Sequence, residues 1–378
     1  METIHMDGSP WRRKMVAYMQ GSSVASIWDQ IGLLPFWLAS QLYGGVLAGR
    51  DASYRYGLRH RRRLPCRVVS IGNVTLGGTG KTPLTLWTAL WFQRQGWRVA
   101  VLSRGYGGRS TAPCLVVSEG HRPLAPWRVV GDEPYLLAQR LRGIPVLTAR
   151  DRYQGGLDAC EAFGAQVVIL DDGFQHVALH RDLDVVLIDA SNPFGHGALV
   201  PRGVLREPLR ALQRASAIVL TRADMVPVET LPALCRQLRQ WHIEQPIYAM
   251  ATVAESLSQV EHDAPQGVAQ LARQRVVAFA GVGNPQSFVS TLSQLGSQVV
   301  AQVRFPDHHA YTDKDWRVIV DAARRQHAAC LVTTEKDAVR LKPDWQAPVP
   351  VYALRIGVRF VGVSAAFEEH LQTLTPPF

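Results

Sequence analysis

The feature that most constrains this chain is an apolar strand that runs into a glycine-rich turn and then into a helix. Residues 67–72 have the composition of a short buried strand, and the turn that follows ends in Gly80-Lys81-Thr82. Apolar residues then recur at helical spacing as far as Gly96, a natural helix stop. Strand, glycine-rich turn and helix are the context that a polyphosphate-binding loop requires. The segment therefore predicts a P-loop domain.

Within this loop, backbone N–H groups and the helix amino terminus are expected to hold phosphate oxygens. Lys81 is expected to reach the β- and γ-phosphates, and the Thr82 hydroxyl is expected to bind Mg²⁺. The loop departs from the Walker pattern because Thr75 stands five positions before Gly80, where that pattern has glycine. The predicted nucleotide-binding residues are Thr75, Gly77, Gly78, Thr79, Gly80, Lys81 and Thr82.

Further apolar strands end in charged residues. Residues 98–103 run into Arg104, and residues 165–170 end in Asp171-Asp172. An apolar strand that ends in aspartate is the second element of a P-loop NTPase, where it binds Mg²⁺ directly or through water. Because adjacent carboxylates at a strand end need a cation or hydrogen bonds to compensate them, they predict a metal site. The alternation of such strands with amphipathic helices indicates a doubly wound, mainly parallel sheet.

One strand end leaves a rival interpretation open. Residues 217–220 end in Thr221-Arg222-Ala223-Asp224, which differs from the Thr-Lys-x-Asp base-reading motif of GTPases by the arginine. The alternative is a membrane-associated P-loop GTPase or ATPase of regulatory function, or a non-catalytic nucleotide-gated membrane module.

Three short polar segments allow a structural and a functional interpretation. Residues 131–134 suit a helix start with Asp132 as the N-cap and a proline shortly inside the helix. Asp307 and His308 suit proton transfer, because a carboxylate can orient and charge an imidazole, but such pairs are also common as structural features. Residues 335–337 place three charges at the end of another strand.

Composition narrows the choice of partner. The chain has 378 residues, of which 47% are hydrophobic and 19% charged, so one large or two ordered domains are expected. A net charge of +10 favours an anionic partner. Nucleic acid is not predicted, because aromatic residues are not interleaved with basic clusters and no helix-turn-helix or zinc-finger spacing occurs. The five cysteines lie singly without a C-x-x-C pair, which favours a reducing compartment.

The amino-terminal region suggests a membrane contact. No residue between Asp29 and Arg50 carries a formal charge, and this run approaches the ~20 residues that span a bilayer. Pro35 and the pair Gly44-Gly45 make it a poor spanning helix. The basic residues that follow are Arg50, Arg55, Arg59, Arg61, Arg62 and Arg63. Apolar bulk beside arginine predicts a segment that lies in an anionic membrane interface; the alternative is an amphipathic helix packed on the domain.

Several segments, taken in order, resemble the tetraacyldisaccharide 4′-kinase family, which phosphorylates a lipid A precursor. They are residues 73–83, 103–106, 130–134, 170–176, 203–208, 305–308 and 333–337. The resemblance implies a phosphotransferase that uses ATP and Mg²⁺. Its acceptor is the 4′-hydroxyl of a tetraacyldisaccharide 1-phosphate, and its product is the 1,4′-bisphosphate (lipid IVA) of lipopolysaccharide biosynthesis.

The resemblance also implies residue roles. Lys81 and Thr82 match phosphate and metal contacts. Asp132 matches the base that activates the acceptor, and His308 matches the residue that tunes this base. The other matches are the metal-site residues Asp171, Asp172 and Gln175, with Glu133 as a further partner, and the basic residues Arg104 and Arg152 near the phosphates.

The expected architecture is α/β in three parts. Residues 1–60 form a membrane-associated segment with a helix, residues 61–268 a P-loop kinase core, and residues 269–378 a smaller α/β domain. The expected partners are the lipid disaccharide monophosphate and an anionic membrane surface, with no nucleic acid and no obligate protein partner. The expected location is the cytoplasmic face of the bacterial inner membrane, with peripheral (monotopic) attachment.

Overall fold

A mixed sheet of 14 strands forms the centre of the fold. The computed structural model describes residues 1–6, 18–19, 33–260, 262–362 and 365–376. The strands are β1 (Glu2–His5), β2 (Arg67–Asn73), β3 (Val99–Ser103), β4 (Cys114–Ser118), β5 (Val146–Ala149), β6 (Val167–Asp171), β7 (Leu183–Asp189), β8 (Ala217–Thr221), β9 (Ile247–Gln259), β10 (His262–Gln266), β11 (Arg275–Ala280), β12 (Gln298–Arg304), β13 (Cys330–Thr334) and β14 (Val351–Val361). Their order in the sheet is β1-β12-β11-β13-β14-β9-β8-β7-β2-β6-β3-β5-β4, and β10 pairs with β9 beside this path.

Helices connect most of the parallel strands. They are α1 (Leu34–Arg55), α2 (Lys81–Arg94), α3 (Trp127–Val130), α4 (Asp132–Arg140), α5 (Arg152–Phe163), α6 (Thr230–Gln240), α7 (Pro285–Gln294), α8 (Asp313–Arg325), α9 (Glu335–Ala338) and α10 (Ala365–Gln372), with 3₁₀ turns at Leu209–Arg214 and Val268–Leu271.

The predicted mainly parallel sheet is confirmed. Within the described part of the chain, the antiparallel pairs of strands are β4–β5, β9–β10 and β9–β14. Every residue of β6 and β7 is buried, as expected for strands that helices cover on both faces. Because β2, β3, β6, β7 and β8 run parallel, their carboxyl ends meet at one edge, where open α/β sheets bind ligands.

The carboxyl-terminal part of the chain continues the same sheet. Strand β14 pairs with β13 on one side and antiparallel with β9 on the other, so no gap separates the two halves. The end of the chain then returns to the first half. Phe360 stacks on Phe367 of α10 at 4.5 Å between ring centroids, and Phe360 meets Trp87 of α2 edge to face at 5.2 Å. The division of the chain at residue 268 stays a prediction.

The start of α4 differs from one sequence interpretation. The helix begins at Asp132 itself, and its N-cap is Gly131 with a φ of 97° and no side-chain cap. The interpretation of Asp132 as the N-cap is therefore wrong. Glycine adopts this φ without steric penalty, so the helix starts one residue earlier than the sequence interpretation placed it and the Asp132 carboxylate can make another contact.

Helix α1 packs with one face against residues 199–206. Ser40 donates a hydrogen bond to the Leu199 carbonyl at 2.7 Å, and Tyr43 donates one to the Arg206 carbonyl at 2.9 Å. Its other face exposes Leu34, Trp37, Leu38, Leu42 and Val46. Within the described residues, no helix has both the length and the apolar composition needed to cross a bilayer. The first residues of the predicted charge-free run, 30–32, lie outside the described residues.

Candidate active site

The phosphate-binding loop, residues 73–82, connects the carboxyl end of β2 to the amino end of α2. Gly77 and Gly80 have φ values of 106° and 87°, in the left-handed region that favours glycine. Gly80 is the N-cap of α2, so this end of the helix has N–H groups without intrahelical partners. Lys81 Nζ donates to Asn73 Oδ1 at 3.2 Å. The structure brings all the predicted loop residues from Thr75 to Thr82 to the wall of one cavity.

The two aspartates that end β6 differ in environment. Asp171 is buried and accepts a hydrogen bond from the Thr85 hydroxyl at 2.9 Å. Burial raises the pKa of Asp171 to about 7, and Glu133 and Asp172 add to the rise. Asp172 instead lines the cavity, 3.8 Å from Lys81 Nζ. Burial alone would raise the pKa of Asp172, but Lys81 and a neighbouring arginine outweigh burial and lower it. Asp172 is therefore the more readily ionised of the two aspartates.

Three other predicted residues lie at different depths. Arg104 lines the cavity. Arg152 is buried and donates to the Ala149 carbonyl; burial, with Arg104 nearby, lowers its pKa to about 10. Gln175 donates its amide to the Asn73 carbonyl at 2.8 Å and is not among the residues that line the cavity. Gln175 therefore binds the first residue of the phosphate-binding loop from outside the cavity.

Asp132 and His308, 176 residues apart, form a hydrogen-bonded pair. His308 Nδ1 lies 2.9 Å from Asp132 Oδ2 and 3.1 Å from Oδ1. Asp132 is only 3% exposed, whereas His308 lines the cavity. Burial alone would raise the pKa of Asp132, but the bond to His308 and the charge of Lys336 lower it. Burial opposes the charge of His308, yet the bond to Asp132 leaves its pKa raised. The pair therefore holds an ionised carboxylate beside the cavity.

The cavity lies between the two halves of the sheet and has a volume of about 450 Å³. The loop, Arg104, Glu133 and Asp172 line one side, and residues 282–284, His308 and residues 334–336 line the other. The two sides touch at the loop: a Cβ added to Gly283 would lie 2.5 Å from the Gly78 nitrogen. A phosphate held by the loop and a hydroxyl near the Asp132–His308 pair would therefore share one cavity.

Comparison with known sequences shows which proteins share this arrangement. Residues 33–375 match the profile of LpxK, tetraacyldisaccharide-1-P 4′-kinase. The protein belongs to the tetraacyldisaccharide 4′-kinase family. A tetraacyldisaccharide 4′-kinase of Syntrophus aciditrophicus is 43% identical over 320 residues, 82% of this chain and 84% of that protein. The kinase of Syntrophobacter fumaroxidans is 46% identical over 294 residues, 78% of this chain and 76% of that protein.

A solved structure of the family agrees in fold. The crystal structure of LpxK from Aquifex aeolicus in complex with ATP superposes with a TM-score of 0.71 at 32% identity, and the match covers 90% of this chain and 98% of that chain. The predicted family, P-loop NTPase fold and enzyme class are confirmed: the protein is a kinase of the tetraacyldisaccharide 4′-kinase family.

Sequence reasoning missed one partner of the aspartates at the end of β6 in this kinase. Arg206 donates to both carboxylate oxygens of Asp172, at 2.7 and 3.0 Å, and also to Asn73 Oδ1 at 3.0 Å. Such bidentate pairing fixes the direction of a carboxylate. The segment 203–208 contributed to the resemblance, so the signal was present, but nothing in its spacing pointed to Asp172.

Residues 221–224, which resembled a base-reading motif, make different contacts from those that the motif predicts. Arg222 pairs with Asp189 at the end of β7 and donates to the Gly78 carbonyl of the phosphate-binding loop. Asp224, which corresponds to the base-reading carboxylate, is exposed and does not line the cavity. These contacts remove the residue evidence for the regulatory GTPase alternative, and family membership favours the kinase.

Sequence reasoning also gave no role to Lys336, the first-turn lysine of α9. Its amine lies 3.0 Å from Glu133 Oε1, 3.3 Å from Asp307 Oδ1 and 3.2 Å from His308 Nε2. Glu133, predicted as a metal partner, is therefore ion-paired across the cavity in this kinase.

Proposed function

We propose that the protein transfers the γ-phosphoryl group of ATP to the 4′-hydroxyl of a tetraacyldisaccharide 1-phosphate, giving the 1,4′-bisphosphate. Family membership supports the reaction, and one structural observation carries the proposal: the Asp132–His308 pair and the phosphate-binding loop adjoin the same cavity. In the transfer, the acceptor oxygen bonds to the γ-phosphorus, the bond to the ADP oxygen breaks, and the hydroxyl proton passes to Asp132.

The nucleotide half of the proposal rests on the loop. Backbone N–H groups of residues 77–82 bind the phosphates and Lys81 neutralises their charge, which is most of what phosphoryl transfer asks of a protein. Arg104 adds a cation at the cavity wall, and the charge of buried Arg152 interacts with Asp171 and Asp172. Positioning and charge neutralisation therefore come from residues on one side of the cavity.

The oxygen-rich end of β6 fits Mg²⁺. Thr82 and Asp172 line the cavity, Asp171 lies behind them with a carboxyl group that a cation would ionise, and all three offer the oxygen ligands that Mg²⁺ prefers. Glu133 and Gln175 complete the proposed set as outer partners. When bound, Mg²⁺ supplies electrostatic stabilisation of the transferred phosphoryl group.

For the membrane, we propose peripheral attachment at the cytoplasmic face of the inner membrane through α1. Leu34, Leu38, Leu42 and Val46 recur every fourth residue on its exposed face, and the arginines that follow suit anionic headgroups. Changing Leu38, Leu42 and Val46 to serine together should reduce co-sedimentation with anionic vesicles. The control is Val228→Ser, an equally apolar residue that is 84% exposed elsewhere. Undiminished sedimentation of the triple variant would place the attachment in another segment.

The transfer itself is tested with labelled ATP in the presence and absence of the tetraacyldisaccharide 1-phosphate. Label should enter the lipid only when both substrates are present, and Mg²⁺ chelation should stop it. Hydrolysis at the same rate without the lipid, or labelling with GTP alone, would contradict the proposal.

A further inference from the structure

Lys336 is the cation that contacts the Asp132–His308 pair most directly. The residue follows the end of β13, where the Thr334 hydroxyl accepts a hydrogen bond from the Asp337 N–H and so fixes the first turn of α9. Its amine is held by Glu133 on α4 and by Asp307, the neighbour of His308. Lys336 therefore reaches both halves of the molecule, and its position does not depend on a single flexible contact.

The amine is a permanent donor. A lysine side chain is an ammonium at neutral pH, and the carboxylates of Glu133 and Asp307 lie 3.0 and 3.3 Å from this one. A lysine ammonium has three donors and no acceptor. The 3.2 Å contact with His308 Nε2 is therefore a hydrogen bond only when that nitrogen carries no proton.

The protonation state of the other ring nitrogen, Nδ1, follows from that of Nε2. If Nε2 is unprotonated, the proton of a neutral imidazole is on Nδ1, which faces Asp132 at 2.9 Å. Besides these groups, Asp307 lies 3.9 Å from Nε2 and the Tyr106 ring meets the imidazole edge to face at 5.3 Å. The Arg340 guanidinium, 3.8 Å from Asp132, faces the carboxylate rather than the ring.

We propose that Lys336 is a positioning residue that fixes His308 as the neutral Nδ1–H tautomer and thereby reserves proton acceptance for Asp132. With Nε2 bound by Lys336 and Nδ1 donating to Asp132, the imidazole has no free lone pair, and the carboxylate is the one member of the pair that can take the acceptor proton. This inference rests on the proposed function and adds to it the residue that divides the roles within the pair.

Removal of the ammonium has a defined consequence. Without Lys336, Nε2 faces the Asp307 carboxylate at 3.9 Å, and this carboxylate favours a second ring proton. His308 then becomes an imidazolium, which binds the Asp132 carboxylate more tightly and weakens it as a base. Arginine in place of lysine also has only donors, so it should preserve the tautomer.

The experiment compares wild type, Lys336→Met, Lys336→Arg and the control Lys342→Met, whose lysine pairs with the exposed Asp313 outside the cavity. Full-length protein labelled with ¹⁵N-histidine is studied by ¹H–¹⁵N correlation spectroscopy at alkaline pH, above the raised pKa of His308; His308→Asn assigns the resonances. We expect a protonated Nδ1 and unprotonated Nε2 in wild type, Lys336→Arg and Lys342→Met, and two protonated nitrogens in Lys336→Met.

Kinetics give the second readout. Lys336→Met should lower kcat at least about tenfold, part of the 10²–10⁴ that general acid–base catalysis supplies, while the KM for ATP stays within about twofold. Lys336→Arg should recover most of kcat. A wild-type imidazolium, or a Lys336→Met ring that remains the Nδ1–H tautomer, would overturn the inference. The spectra test the tautomer of His308 even if no lipid is phosphorylated. Failure of the proposed function would appear in the lipid assay alone and can be told apart from failure of this inference.

Discussion

The two sides of the cavity are built in opposite ways. The phosphate-binding loop is one run of residues, 73–82, whose shape follows from glycine φ values and the start of a helix. The facing side contributes His308 and Lys336, which reach across the cavity to Asp132, 176 residues from His308, and to Glu133, 203 residues from Lys336. One side is therefore fixed by local backbone geometry and the other by how two halves of a sheet pack.

Lys81→Ala tests the local side and should have the largest effect. Loss of a cation that neutralises transferred phosphate lowers kcat by about 10³-fold or more, and nucleotide affinity falls as well. Turnover and calorimetric binding of nucleotide measure the two effects, with exposed Lys314→Ala as the control. If binding and turnover both survive, the loop does not act as described.

Asp132→Asn tests the assembled side. Asparagine keeps the shape but cannot take a proton, so kcat should fall about 10²- to 10⁴-fold while nucleotide affinity stays unchanged. The control is Asp224→Asn, an exposed carboxylate outside the cavity. Equal losses of affinity and turnover would show that the two sides are not functionally separate.

Gly283→Ala tests the contact between the sides. The added Cβ meets the Gly78 nitrogen at 2.5 Å, so the loop or the facing turn must shift. Because a misplacement of about 1 Å can cost about 10²-fold in rate and the loop can yield in part, we expect about a tenfold loss of kcat/KM. Gly267→Ala is the matched control, since its Cβ would meet nothing within 4 Å. An unchanged kcat/KM in Gly283→Ala would mean that the two sides are less closely packed than this contact indicates.

The smallest expected effect is on stability. The pKa of His308 is raised above 6.5, so its contribution to the free energy of unfolding is fully present below pH 6.5 and is lost as pH rises through the folded-state pKa. The melting temperature of His308→Asn should therefore fall further below that of wild type at acidic than at alkaline pH. Exposed His121→Asn is the control. A difference that does not vary with pH would contradict the ion pair.

Sequence reasoning was strongest where function is local. The strand–loop–helix unit, the aspartates that end β6 and the mainly parallel sheet were all predicted from consecutive residues, and the fold confirms them. It was weakest at Asp132, whose interpretation as the N-cap was wrong because Gly131 is the N-cap residue. Arg206 and Lys336 had no predicted role, and Arg222 was compared only with a base-reading motif, since the partners of all three lie in other segments.

The sequence by itself therefore determined that the chain carries a phosphate-binding loop and an acidic strand end, because glycine conformations, helix termini and apolar strands are properties of neighbouring residues. Only the tertiary structure decided what faces that loop. Pairing of β14 with β9 joins the two halves of the sheet and places His308 and Lys336 opposite Asp132 and Glu133. Contacts across such separations depend on the packing of the whole sheet, which no periodicity or spacing along the chain records.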